Sequence, residues 1–124
     1  MKILLIHGQN HRGNTCMIAQ ELAHKVKNNT QGKAEIQEYF LPEAFDEPCR
    51  GCYTCFKNDL TKCPHYKKLE PVAEAILDAD LLIFESPVYV YHATGQMMSL
   101  LDHFGTWWVV HRPREEMCKK QAVV

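Results

Sequence analysis

The 124 residues carry 14 basic and 15 acidic side chains for a formal charge of −1, and 46% of them are hydrophobic. This supports one compact domain with its own core and is too little for two. The near-balanced charge, without a long run of one sign, argues against a nucleic-acid or membrane partner and leaves a small molecule as the expected one.

Lys2 to His7 reads KILLIH, the short apolar run of a parallel strand buried on both faces. Its core, Ile3 to Ile6, is far too short for a signal peptide or a membrane span, so a cytoplasmic location is expected. A helix is predicted from Thr15 to about Asn28, where Ile18, Ala19, Leu22, Ala23 and Val26 recur at helical spacing. Gly13-Asn14 would start it and Gly32 would close its exit. Ala34 to Leu41 is less apolar and suits a strand nearer the sheet edge. A second helix is predicted from about Glu70 to Ala79, with Pro71 in its first turn and Val72, Ile76 and Leu77 facing inward. The third strand runs from Leu81 to Phe84, and a third helix from Thr94 to Phe104 carries Met97, Leu100, Leu101 and Phe104 on one side. Trp107, Trp108 and Tyr91 are candidates for an apolar patch, used either for dimerisation or for packing within the subunit. Gln121 to Val124 reads as the opening of a fourth strand. Strands alternating with helices predict a doubly wound parallel α/β sheet. Such a sheet usually has about five strands, so the chain is expected to be truncated at its C-terminus.

Two loops then stand out. IHGQNHRGNT, from Ile6 to Thr15, joins a buried strand to a helix through two glycines and aims unpaired backbone N–H groups at one point, which attracts phosphate. Arg12 adds a planar cationic fork, and Asn10, Asn14 and Thr15 add donors. The spacing matches neither G-x-G-x-x-G nor the Walker A pattern, which argues against a dinucleotide fold or an NTPase. The second loop, Ser86-Pro87-Val88-Tyr89-Val90-Tyr91, follows the third strand and shares the same carboxyl edge, where ligands of doubly wound sheets lie. Pro87, Val88 and Tyr89 offer an apolar, partly aromatic surface for a flat ring; packing against the protein's own core is the alternative use.

Six cysteines are present, and four of them form Cys49-x2-Cys52-x2-Cys55-x7-Cys63. Thiolates at that density suit an Fe–S cluster or zinc, and free thiols are the third reading. Cys16 and Cys118 have no close cysteine partner in sequence and read as buried or surface thiols. The histidines, His7, His11, His24, His65, His92, His103 and His111, show no zinc signature and read mostly as surface or packing residues. His11 is a candidate to assist a phosphate and His92 to approach a ring.

Taken together, GQNHRGNT, CRGCYTC and ADLLIFESPVYVYHATGQMMSLLDHF, following the first strand in that order, resemble the NAD(P)H-dependent FMN reductase and iron–sulfur flavoprotein group of the flavodoxin-like superfamily. The resemblance covers nearly the whole chain. It implies a single three-layer α/β/α domain over residues 1–124, with a cysteine-rich loop at about 42–66. It further implies an FMN phosphate held by Gln9, Asn10, Arg12, Gly13, Asn14 and Thr15, and an isoalloxazine ring against Pro87, Val88, Tyr89 and Val90. Hydride would enter from NADH or NADPH and leave to a small acceptor or to a [4Fe–4S] cluster on Cys49, Cys52, Cys55 and Cys63. No side chain is assigned a catalytic role, since the flavin carries the chemistry. Relatives of this kind resemble homo-oligomers. The sequence departs from the group's Gly-Ser-Pro-Arg at Gly8-Gln9-Asn10-His11, where Arg12 takes the arginine's task. Met98 and His103 also stand where related sequences carry Lys and Arg, and the group's third flavin loop would follow the fourth strand, beyond Val124. The competing readings are a flavodoxin-like electron carrier without nicotinamide turnover and a zinc-binding interaction module.

Overall fold

Apolar residues at consecutive positions let each central strand bury both of its faces, and this dictates a layer of helices on either side of the sheet. The computed structural model describes residues 1–108 and 115–123; His111 and Val124, named above, lie outside them. Strands β1 (Lys2–His7), β2 (Glu35–Phe40), β3 (Leu81–Glu85) and β4 (Gln121–Val123) form one parallel sheet in the order β2-β1-β3-β4. The first three match the sequence expectation to within a residue or two, and the fourth is the strand expected to open at Gln121.

Alternation along the strands sorts the core into two halves. Ile3, Leu5, Leu81 and Ile83 face helix α1 (Asn14–Asn29), which contributes Ala19 and Ala23. Leu4, Ile6 and Leu82 face the opposite way, against Leu69, Val72 and Ile76 of helix α3 (Tyr66–Asp78) and Met97 and Leu100 of helix α4 (Gly95–Asp102). The result is the expected three-layer α/β/α arrangement.

Two details differ from the sequence expectation, and one alternative it left open is resolved. Helix α3 begins at Tyr66, four residues before Glu70, so Pro71 lies inside the helix and not in its first turn. A short helix α2 (Thr54–Lys57) and a 3-10 turn at Leu60–Lys62 punctuate the cysteine-rich loop. Trp107, in the short helix α5 (Gly105–Trp108), is buried and packs against Phe104 with ring centroids 4.6 Å apart. It therefore serves packing within the subunit, whereas Tyr91 is fully exposed. Among the described residues, no helix is long and apolar enough to cross a membrane.

Candidate functional site at the carboxyl edge

Register places the ends of the three long strands side by side, with His7 opposite Phe40 on one flank and Glu85 on the other. The two loops singled out in the sequence leave from this edge. In the first, Gly13 takes the N-cap position of α1 with no side-chain cap, so the opening N–H groups of the helix are left to an external acceptor. Arg12 is exposed beside them, its guanidinium 4.8 Å from the centroid of the Phe40 ring. Asn14 is exposed and Thr15 half-buried in the first turn, and a Cβ on Gly13 would stand 3.1 Å from the His11 ring. Asn10 turns aside and donates to Glu43 at 3.2 Å. Gln9 accepts a hydrogen bond from the Tyr89 hydroxyl at 3.1 Å, which ties the first loop to the second.

The second loop is a tight hairpin. The Tyr89 N–H donates to the His92 carbonyl at 2.8 Å and the His92 N–H returns to Tyr89 at 3.2 Å. Val90 and Tyr91 make the two-residue turn with φ of 49° and 68°, the left-handed region that such turns fill with Asn or Gly. A β-branched residue there is strained. Val88, Tyr89 and Val90 are more than half exposed and Pro87 is partly so, and a mostly apolar cavity of about 610 Å³ adjoins Pro87 and Val88. Packing does not describe Tyr91, which is fully exposed, whereas Tyr89 is half-buried at 52% exposure with its hydroxyl held by Gln9.

Beneath the first loop lies a buried polar group that sequence reasoning missed. His7, wholly buried, places Nδ1 at 2.8 Å from Glu85 and Nε2 at 3.0 Å from Glu38, and its ring stacks on Phe40 at 4.2 Å. Cys16 is buried close by; desolvation, with Glu85 and Glu38 adding to it, pushes its thiol up and keeps it protonated. The available signal was the equivalent position of His7 and Glu85 at the ends of two buried runs.

The four clustered cysteines line a single cavity of about 320 Å³ together with His65 and His103. Two thiols are tuned in opposite directions. A hydrogen bond from the Thr54 hydroxyl lowers Cys52, while burial and the nearby Cys63 raise Cys55. Among the described residues, the group whose ligand atoms converge is Cys63, His65 and His103, all within 4.8 Å of one another. The four thiols share the cavity, but a four-thiolate set does not converge in it. Of the histidines read as surface or packing residues, His65 and His103 are both buried and in contact at 3.2 Å.

Comparison with known proteins fits this geometry. An iron–sulfur flavoprotein of Archaeoglobus fulgidus is 30% identical over 82% of this chain and 48% of its own length. An iron–sulfur flavoprotein of Methanocaldococcus jannaschii is 29% identical over 82% of this chain and 51% of its own. The chain thus spans about half the length of the curated relatives it matches. A solved flavone reductase superposes over 85% of this chain and 30% of that one, with a TM-score of 0.56 and 25% identity. A Trp repressor binding protein from Bacillus subtilis covers 98% of this chain and 58% of that one, with a TM-score of 0.52 and 19% identity, a likeness of fold alone. The fold is flavodoxin-like, and the match of residues 1–124 to the model for NADPH-dependent FMN reductases means that the chain belongs to that family.

Proposed function

We propose that the chain binds FMN at the carboxyl edge of its sheet and serves an NAD(P)H-dependent oxidoreductase. The observation that carries this reading is the Gln9–Tyr89 hydrogen bond. It joins an uncapped helix N-terminus flanked by Arg12 to an exposed apolar hairpin, so that an anion site and a ring platform form one continuous surface. The N–H groups at the start of α1, with Asn14, Thr15 and Arg12, would hold the dianionic phosphate. Pro87, Val88, Tyr89 and Val90 would carry the ring, with the adjoining apolar cavity excluding water beside it. Bound FMN supplies the hydride and electron chemistry, and the protein supplies position and electrostatics. A nicotinamide donor and a small acceptor complete the reading.

Comparing FMN with riboflavin, which lacks the phosphate, tests the assignment. Arg12→Ala should weaken FMN about tenfold or more, the loss of a charge-assisted contact worth ~1.5–3 kcal/mol, and leave riboflavin nearly unchanged. Equal weakening of both ligands would remove the phosphate from this loop.

A further inference from the structure

We propose that the buried network of His7, Glu38 and Glu85 couples a proton to anion binding at the first loop, taking that proton up when a phosphate docks there. The inference rests on the reading of this loop as the FMN phosphate site. The three side chains come from adjacent strands: His7 stands opposite Glu85 in register, and Glu38 lies two residues before Phe40, the partner of His7 on the other flank. Phe40 joins the network to the loop above, since its ring stacks on His7 and is reached by the Arg12 guanidinium. Cys16, in the first turn of α1, lies close enough to feel Glu85, Glu38 and Arg12 together.

Two acids behind an anion site work against the anion unless protons offset them. The hydrogen bonds show that this network has a place for such a proton. Each of the two contacts to His7, at 2.8 and 3.0 Å, needs a hydrogen between nitrogen and oxygen, and a neutral imidazole brings one. With both contacts made, the network holds a second proton, on the ring or on a carboxyl. Oε1 of Glu85, buried without a hydrogen-bond partner among the described residues, leaves a further oxygen open to one. A dianionic phosphate arriving above adds negative charge to the same poorly solvated region, and a nearby negative charge favours the more protonated forms of the groups around it.

The neighbouring groups narrow where the proton goes. From α1, Cys16 is already kept protonated by its burial and takes up nothing further, and Gln20, which donates to Glu38 at 2.8 Å, does not titrate. From the loop, Arg12 keeps its charge throughout. Glu43, exposed and bound by Asn10, faces water. His11, exposed with its ring against Gly13, is the rival proton acceptor. Uptake on binding means, by linkage, that FMN affinity rises as pH falls wherever the ligand's own charge is constant.

Calorimetric titration with FMN and with riboflavin, in buffers of different ionisation enthalpy, counts the protons exchanged on binding. Above about pH 7.5 a phosphate monoester, whose second pKa is about 6, is already dianionic, so protons taken up there go to the protein. The expected result is a net uptake on the order of half a proton to one proton per FMN, and close to none for riboflavin. The uptake should persist in His11→Ala and disappear in the double variant His7→Leu/Glu85→Leu. Should the double variant fail to fold, Glu38→Gln, at the partly exposed acid, gives a second readout: a smaller uptake and an FMN affinity that depends less on pH. FMN bound by the wild type without net uptake would overturn the proposal, as would an uptake lost in His11→Ala and kept in the double variant. Equal weakening of FMN and riboflavin by Arg12→Ala would overturn both the proposal and the phosphate assignment beneath it, which tells the two failures apart.

Discussion

The Thr94 hydroxyl donates to the Gly8 carbonyl at 2.5 Å and would stand 2.8 Å from any Cβ placed on Gly8. Ser86 closes the other side at 2.9 Å and accepts the Thr94 N–H at 2.9 Å, so neither hydroxyl is free to swing away. The loop after β1 and the loop after β3 therefore meet at a position with no room for a side chain. Gly8→Ala should cost about 1–3 kcal/mol of stability through overpacking and weaken FMN at the same time, because both proposed flavin loops shift. Urea unfolding with parallel flavin titration measures both, and an unchanged midpoint would show that the contact is soft.

The hairpin turn predicts an opposite balance. Val90 holds a positive φ that costs of order 1–3 kcal/mol in a non-glycine residue, yet its side chain is 84% exposed and returns little from packing. Val90→Gly should raise the melting temperature of the flavin-free protein and weaken FMN. A variant that is both more stable and binds FMN as well as the wild type would mean that the strain has no bearing on the ligand.

The scaffold is legible in the sequence because burial on both faces writes β1 and β3 as unbroken apolar runs, and because the 3.6-residue spacing of Ala19, Leu22, Ala23 and Val26 survives in α1. The start of α3 is not, since Pro71 imitates a first-turn proline while sitting inside the helix. The flavin loops can be found from Gly13, Arg12 and Pro87, but the bond between Gln9 and Tyr89 spans 80 residues and depends on the hairpin's geometry. His65 and His103 are 38 residues apart in separate elements. No local spacing announces them; only the packing of α3 beside α4 brings their rings together.

Within the cysteine cavity, reactivity should follow the hydrogen bonds. The thiolate is the nucleophile, and the Thr54 hydroxyl favours it at Cys52, whereas burial disfavours it at Cys55. In metal-free protein near pH 7.5, iodoacetamide should label Cys52 first and Cys55 later. Thr54→Val should slow labelling of Cys52 alone. Mass-spectrometric mapping of the labelled peptides decides it, and equal rates at the two sites would remove the role of Thr54.

The last prediction concerns the buried His7–Glu85 pair under the first loop. Both His7 ring nitrogens face carboxyl oxygens, Nδ1 that of Glu85 and Nε2 that of Glu38, so the three side chains form one hydrogen-bonded network. The two acids are not equivalent. Glu38 is partly exposed and also accepts from Gln20 at 2.8 Å, while Glu85 is buried and its second oxygen has no hydrogen-bond partner among the described residues. His7→Leu therefore strands a carboxylate away from water and should cost about 3–5 kcal/mol, against a total stability of roughly 5–15 kcal/mol for a domain. If the stranded charge is the cause, removing it as well should restore much of the loss. The double variant His7→Leu/Glu85→Leu should then be more stable than His7→Leu alone, because Glu38 keeps water and Gln20. Chemical denaturation of the wild type, both single variants and the double variant gives the coupling directly. Additive losses would show that the pair acts through packing at the strand ends and not through charge.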